Sequence, residues 1–241
     1  MRLLVSCYFG DAGGQFDRLA PVLAATAARQ CPDWERRIIR LDRPKRSGAV
    51  EESYRANTHK LDFWSESVQQ LPDGAEVLLI DADTVILRPL DDVWQEAFDV
   101  AYTVRPKPYK LPLNAGVVFL RVNDRSKAFL RQWADVNRRM LTDRPLHQKW
   151  RARFGGLNQA ALGCVLASPP ADLRLATLPC LEWNCEDSAW SDFAPARTRI
   201  VHVKSALRLA VFNLQPATKP GVRPLVTLWR SLERQALAVS L

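Results

Sequence analysis

The chain has 241 residues, 47% of them hydrophobic and 25% charged, with a formal net charge of +8. That is enough to bury one α/β core without help, in the composition range of ordinary globular proteins. No stretch approaches the roughly 20 apolar residues a membrane span needs, and Leu3 to Phe9 is too short for a signal-peptide core, so a cytoplasmic protein is expected.

In chain order, Leu3 to Phe9 reads as a buried first strand ending at Gly10. Phe16 to Arg29 carries apolar residues at helical spacing, and Cys31-Pro32-Asp33 stops it. Arg36 to Leu41 is a second strand, followed by a polar, basic loop from Pro44 to Gly48. A helix from about Tyr54 to Gln70 ends before the turn Leu71-Pro72-Asp73-Gly74. Val77-Leu78-Leu79-Ile80 is a continuous apolar run, as for a strand buried on both faces, and it runs straight into Asp81-Ala82-Asp83. Val100 to Val104 and Ala115 to Val122 are further strands, separated by the Pro-rich loop Arg105 to Pro112. Asp124 is placed to cap a helix reaching Met140, and Leu157 to Leu166 follows Gly155-Gly156 as another. Arg174 to Thr177 and Thr198 to Val203 are late strands around an irregular stretch, Pro179 to Pro195. Pro224 to Leu237 is an amphipathic helix. Strands alternating with helices predict a single α/β domain with a mainly parallel sheet.

Five cysteines, Cys7, Cys31, Cys164, Cys180 and Cys185, form no Cys-x-x-Cys pair, and the three histidines lie far apart. Reduced structural thiols fit better than a zinc knuckle. The positive charge is concentrated. From Arg105 to Arg153 there are thirteen Lys or Arg against three Asp, whereas the remainder holds 21 basic and 23 acidic residues. The densest part, Arg138, Arg139, Arg144, Lys149, Arg151 and Arg153 with Trp150 and His147 among them, reads either as a solvated helix or as a basic loop meeting a polyanion.

Two features carry chemistry. In an extended chain Asp81 and Asp83 point the same way at a strand end, where open α/β sheets bind ligands. Two such carboxylates repel unless a cation lies between them, and Mn²⁺ or Mg²⁺ suits them. In Ile200-Val201-His202-Val203-Lys204 the imidazole and the ammonium share a strand face, placed to complete a metal site and to neutralise a diphosphate.

With these features the sequence resembles GT-A-fold glycosyltransferases that use nucleotide-diphosphosugars, especially the lipopolysaccharide galactosyltransferase and glycogenin type. The matching blocks run in order from Asn57-Thr58-His59-Lys60 and Leu78 to Asp83, through Leu90-Asp91-Asp92, Leu113 to Val118, Gly156 to Leu162 and Trp183-Asn184, to Val201-His202-Val203-Lys204. The resemblance implies a Rossmann-like mixed sheet flanked by helices in one catalytic domain. Residues 1–122 would form its nucleotide-sugar half, 123–208 its acceptor half and 209–241 a helical tail. It implies that Tyr8 and Phe9 cradle the nucleotide of a donor, most simply a UDP-sugar. Asn57 and Lys60 would approach its phosphate or sugar, and Asn114, Ala115 and Gly116 would line the sugar pocket. Asp81 would touch ribose and metal, with Asp83 and His202 as the other metal ligands. Asn158 and Gln159 stand where such enzymes carry Asp-Gln beside the transferred sugar, and the Asn is a departure. Another departure follows Lys204, where Arg208 is placed to substitute for a later lysine. Glu182, Glu186 and Asp187 are candidate bases, Asp187 being the one singled out. The acceptor would be a hydroxyl on a polyanion such as DNA or phosphorylated lipopolysaccharide. Two other classes compete. Ile80-Asp81-Ala82-Asp83-Thr84-Val85 also fits a haloacid-dehalogenase-type phosphatase with Asp81 as nucleophile, and the basic segment alone fits a nucleic-acid-binding domain.

Overall fold

The computed structural model describes residues 1–10, 14–42, 52–106 and 111–239. The expected loop at Pro44 to Gly48, most of the loop at Gly10 to Gly14 and half of the loop at Arg105 to Pro112 lie outside them. Six strands form the main sheet: β1 (Arg2–Phe9), β2 (Glu35–Leu41), β3 (Glu76–Ile80), β5 (Val100–Val104), β6 (Leu113–Arg121) and β7 (Leu175–Pro179), with β4 (Thr84–Ile86) standing apart. The spatial order is β2-β1-β3-β6-β5-β7. Only β6 runs against its neighbours, so the sheet is mixed but mainly parallel, as the alternating pattern predicted.

Alternation along the central strands explains the continuous apolar runs. Leu3, Val5, Val77 and Leu79 face one layer, with Trp64, Phe129, Trp133 and Leu162 from helices α2 (Glu52–Gln69), α3 (Asp124–Thr142) and α5 (Asn158–Leu166). Leu4, Leu78 and Ile80 face the other, with Leu23 and Ala27 of α1 (Gln15–Gln30) and the aromatic group Trp34, Trp94, Phe98, Phe119 and Trp183. Each such fully buried side chain is worth about 1.5–3 kcal/mol relative to exposure. A third cluster joins α1 to the last helix, α8 (Val222–Val239), through Leu19, Val22, Val201 and Trp229.

Three local expectations are corrected. Asn123, not Asp124, caps α3: its side chain accepts from the Ser126 amide, and the Ser126 hydroxyl accepts from the Asn123 amide, which satisfies two end donors at once. Of the two readings of the densest basic stretch, the helix holds and the loop does not. Residues Arg144–Phe154 form a helix, α4, capped by Asp143, with Pro in its first turn. Between β6 and β7 the chain thus makes three helices, not two. Asp81 and Asp83 do not continue a strand. They sit in a turn, and β4 then pairs antiparallel with β8 (Ile200–His202) in a small second sheet.

Candidate functional site

The acidic pair owes its geometry to that second sheet. After β3 the Thr84 hydroxyl donates to the Asp81 carbonyl at 2.7 Å and closes the turn. The β4–β8 register sets Thr84 opposite His202, and the Val203 amide donates to the Asp83 carbonyl at 2.7 Å. Residues separated by more than a hundred positions are thereby brought together. His202 Nε2 lies 3.2 Å from Asp83 Oδ1 and 3.7 Å from Asp81 Oδ2. Gly116 permits the approach, since a Cβ there would come within 2.6 Å of the imidazole and 2.8 Å of the Asp81 carboxylate.

A buried hydrogen-bond chain fixes the imidazole tautomer. The Thr103 hydroxyl donates its one proton to the Asn114 carbonyl at 2.8 Å, so it accepts from Asn184 Nδ2 at 2.9 Å. Asn184 therefore presents its carbonyl oxygen to His202 Nδ1 at 3.0 Å, and that nitrogen carries the proton. Nε2 is left facing two carboxylates, a position that calls for a proton on the ring or a cation shared between them. Two carboxylates and an imidazole, with ligand atoms within 4.8 Å of one another, suit a hard or borderline divalent ion, and the Asn184 contact is the outer-shell support such a ligand ordinarily has. The donor set fits Mn²⁺ or Mg²⁺.

Protein cations already attend both carboxylates. Lys60 Nζ lies 2.5 Å from Asp81 Oδ1, above the Trp64 ring, and the Arg208 guanidinium donates to Asp83 Oδ2. Burial pushes the Asp83 carboxyl up, but His202 and Arg208 beside it prevail and hold it well below the usual carboxylate range.

Around this centre the cleft has two lobes that share Asn57, Lys60, Asp81, Asp83 and Arg208. One, of about 460 Å³, is walled by Cys7, Tyr8 and Phe9, where β1 changes from buried to half-buried, and by Phe16 and the first turns of α2. The other, of about 410 Å³, is walled by Asn114, Ala115, Gly116, Asn158, Gln159, Asp187 and Lys204. The residues anticipated for the nucleotide and the sugar line one lobe or the other, whereas of the candidate bases Glu182 and Glu186 line neither.

Inside the second lobe they are not equivalent. Asn158 does not cap its helix, and both polar atoms of its side-chain amide are buried without a hydrogen-bond partner among the described residues. Gln159 spends its amide nitrogen on the Phe154 carbonyl at 2.7 Å. The three acidic candidates separate. Glu182 is turned away to Arg199 at 2.9 Å. Glu186 is fully buried, gripped by Arg105 at 3.0 and 2.9 Å and by Lys204 at 2.9 Å, and although burial pushes its carboxyl up, a hydrogen bond from Asp187 and the charges of Lys204 and Arg105 hold it far below its ordinary value. Asp187 alone of the three faces the cleft, 3.4 Å from Lys204, and burial and the neighbouring Glu186 raise its carboxyl above the ordinary value.

Asn184 and Arg105 are the residues whose roles sequence reasoning missed, although Trp183-Asn184 is one of the matching blocks; no local pattern marks Arg105. Of the basic stretch, Arg138 pairs with Asp62 and Asp135, and Arg139 with Asp143. Arg144, Lys149, Arg151 and Arg153 are exposed on α4 with no ion-pair partner among the described residues, Lys149 and Arg153 lying over Trp150 and Phe154. No described helix is long and apolar enough to cross a membrane. All five cysteines are free.

No protein-family model matches the sequence, and no curated protein sequence does. Solved structures do match. A glycosyltransferase involved in the glycosylation of the major capsid of PBCV-1 superposes with a TM-score of 0.59 at 13% identity, over 85% of this chain and 94% of that one. The glycosyltransferase GlyE of Streptococcus pneumoniae superposes with a TM-score of 0.60 at 12% identity, over 99% of this chain. The chain spans 64% of the length of GlyE. At such identities the likeness is one of fold, and the fold of this chain is that of the GT-A glycosyltransferases.

Proposed function

We propose that the chain is a metal-dependent glycosyltransferase that moves a hexose from a nucleotide-diphosphosugar, a UDP-sugar in the simplest case, to an acceptor hydroxyl. The observation that carries this reading is His202 Nε2 held against Asp81 and Asp83 at the waist of a two-lobed cleft. Mn²⁺ or Mg²⁺ held by Asp81, Asp83 and His202 would supply positive charge to the diphosphate as it leaves.

The chain's own residues divide the remaining work. Tyr8 and Phe9 offer the base a half-buried aromatic wall in the first lobe. Asn57 and Lys60, one helical turn apart, reach the shared waist where a diphosphate would lie. In the second lobe Asn114, Ala115 and Gly116 present a close backbone surface to the sugar. The unpartnered Asn158 amide is supplied with hydrogen bonds by sugar hydroxyls, since a buried amide left unpaired costs about 1–3 kcal/mol. Gln159 steadies the helix start beside it. Asp187 faces the cleft, and once it has lost the proton it shares with Glu186, its raised carboxyl is suited to take the proton of the attacking hydroxyl. Lys204, lining the same lobe, stabilises the leaving charge. The haloacid-dehalogenase-type alternative has no such support, because Asp81 is engaged by Lys60 and follows a strand of a sheet that superposes on glycosyltransferases.

The acceptor belongs on the α4 side. Leu111 walls both the second lobe and a hollow made with Gln148, Arg151 and Ala152, so an acceptor leaving the cleft meets the unpaired cations of α4. An acidic acceptor, whether phosphorylated glycan or DNA, suits that surface better than a neutral one. Its affinity should fall steeply with salt while donor hydrolysis changes little.

The reading is tested by thermal unfolding with a panel of nucleotide-sugars, with and without Mn²⁺. Stabilisation by one nucleoside class only when the ion is present is the expected result. Equal stabilisation without the ion would refute the metal-dependent donor site.

A further inference from the structure

We propose that His147 is a positioning residue for the transfer reaction: its ring N–H holds the turn between α4 and α5 in the shape that presents the sugar-facing wall of the second lobe. This role rests on the reading of that lobe as the sugar site, but it falls to a residue that lines neither lobe and that the reading does not use.

The turn is one that glycine permits. α4 ends at Phe154 and α5 starts at Asn158, and the chain crosses between them through Gly155, at φ 71° and ψ 169°, and Gly156, at φ 49°. The first of these conformations is essentially closed to residues with a Cβ, and two glycines in a row leave the chain free to turn elsewhere unless something ties it down. The Gly155 amide closes the last turn of α4 on the Arg151 carbonyl, and the Leu157 carbonyl opens α5 on the Ala161 amide, both at 2.9 Å. Between those anchors, side chains supply the ties. His147 Nε2 lies 3.0 Å from the Gly156 carbonyl, and Gln159 Nε2 donates to the Phe154 carbonyl at 2.7 Å. A carbonyl only accepts, so Nε2 is a nitrogen that carries hydrogen.

The imidazole is itself firmly seated. The residue is 8% exposed, its amide donates to the Asp143 carbonyl at 3.0 Å in the first turn of α4, and its ring meets Tyr54 of α2 edge to face with centres 5.2 Å apart. Gly156, Leu157, Asn158 and Gln159 follow one another along the wall of the second lobe, and none of them borders the first. Trp133 fixes the Asn158 carbonyl from the core at 3.1 Å. The Asn158 side-chain amide, buried without a partner among the described residues, depends for its aim on the turn that leads into it. Hydrogen bonds to a sugar need separations of about 2.7–3.2 Å, and a misplacement of about 1 Å can cost about 10²-fold in rate. Loss of the His147 tie should therefore be felt in the reaction of the sugar and not in binding of the nucleotide.

Two substitutions separate the N–H from the ring. His147→Gln keeps an amide donor at the reach of Nε2 without the ring, and His147→Phe keeps a ring against Tyr54 without the donor; His147→Leu replaces the latter if it unfolds. With Mn²⁺ present, UDP affinity is measured by calorimetry and hydrolysis of UDP-galactose and UDP-glucose by water is followed as UDP release, for the full parent chain and the variants. His147→Phe should lower the hydrolysis kcat roughly tenfold or more while UDP affinity changes by less than about twofold, and His147→Gln should stay within about threefold of the parent in both. The reverse order, with the Phe variant active and the Gln variant impaired, overturns the proposal and leaves His147 a packing partner of Tyr54. Equal losses in both variants, or a parallel loss of UDP affinity, overturn it as a general loosening of the fold. Amide hydrogen exchange over residues 155–161 needs no substrate: it should quicken in the Phe variant and not in the Gln variant, and unchanged exchange in both overturns the tie. If the parent binds no nucleoside diphosphate, the donor-site reading fails, and the exchange comparison alone decides whether His147 holds the turn.

Discussion

Asp83 and Glu186 are both buried carboxylates, both held ionised far below their ordinary range by cations that outweigh burial, and both stand at the same cleft. Their surroundings make them opposites. Glu186 is sealed: its side chain has no exposure, that of Arg105 has 3%, and Lys204 and Ser188 complete the cage. Asp83 shares its charge with a partly exposed arginine and an imidazole at the waist of an open cleft. A depressed carboxyl pKa therefore does not distinguish a structural residue from a ligand-binding one. Whether its partners can leave does.

Substitutions should separate the two. The largest effect on stability is expected for Glu186→Gln, which removes the carboxylate nearest to buried Arg105: about 3–5 kcal/mol lost, read by denaturant unfolding. Because the folded-state pKa of Glu186 lies below the unfolded value near 4.3, its stabilisation is complete above that value and is lost as pH falls through the folded pKa. The gap between parent and variant should be widest at neutral pH and narrow below about pH 4. A gap independent of pH would remove the ionic account of this residue.

Asp83→Ala should cost under about 1 kcal/mol, because Arg208 can turn to water. The same change should abolish the Mn²⁺-dependent stabilisation by nucleotide, and retention of that stabilisation would exclude Asp83 as a ligand. Asn184→Leu leaves all three ligands in place but releases the tautomer lock on His202. Mn²⁺ affinity should fall by roughly 10–100-fold, measured by the free-ion electron paramagnetic resonance signal. An unaltered affinity would show that the imidazole does not depend on Asn184. The smallest effect concerns thiol chemistry. Burial pushes Cys7, Cys180 and Cys185 up to about 12 and Cys31 to about 11, so at pH 8 a thiol reagent should label only half-exposed Cys164 in the native chain. Rapid labelling of a second cysteine would indicate that one of the packed regions opens readily.

Much of this was legible in the sequence where the controlling interactions are local. The run Val77 to Ile80 specified a strand buried on both faces, since alternate residues meet different helical layers. The tip after it was readable as the place for Asp81 and Asp83, and the order of the motifs led to the GT-A fold. The helix from Arg144 to Phe154 was also within reach, because Asp143 followed by Pro145 is a helix-start pattern.

What only the tertiary structure decided is how those residues act on one another. Apolar periodicity and turn chemistry are properties of neighbouring residues, so the amino-acid order fixes them. The β4–β8 register that delivers His202 to the acidic turn, the Thr103–Asn184 chain that orients its ring, and the partners that seal Glu186 but leave Asp83 open all join positions 18 to more than 100 residues apart. Hydrogen-bond polarity and ion pairing fall off within a few ångströms, so they are set by which distant segments the packed core brings into contact.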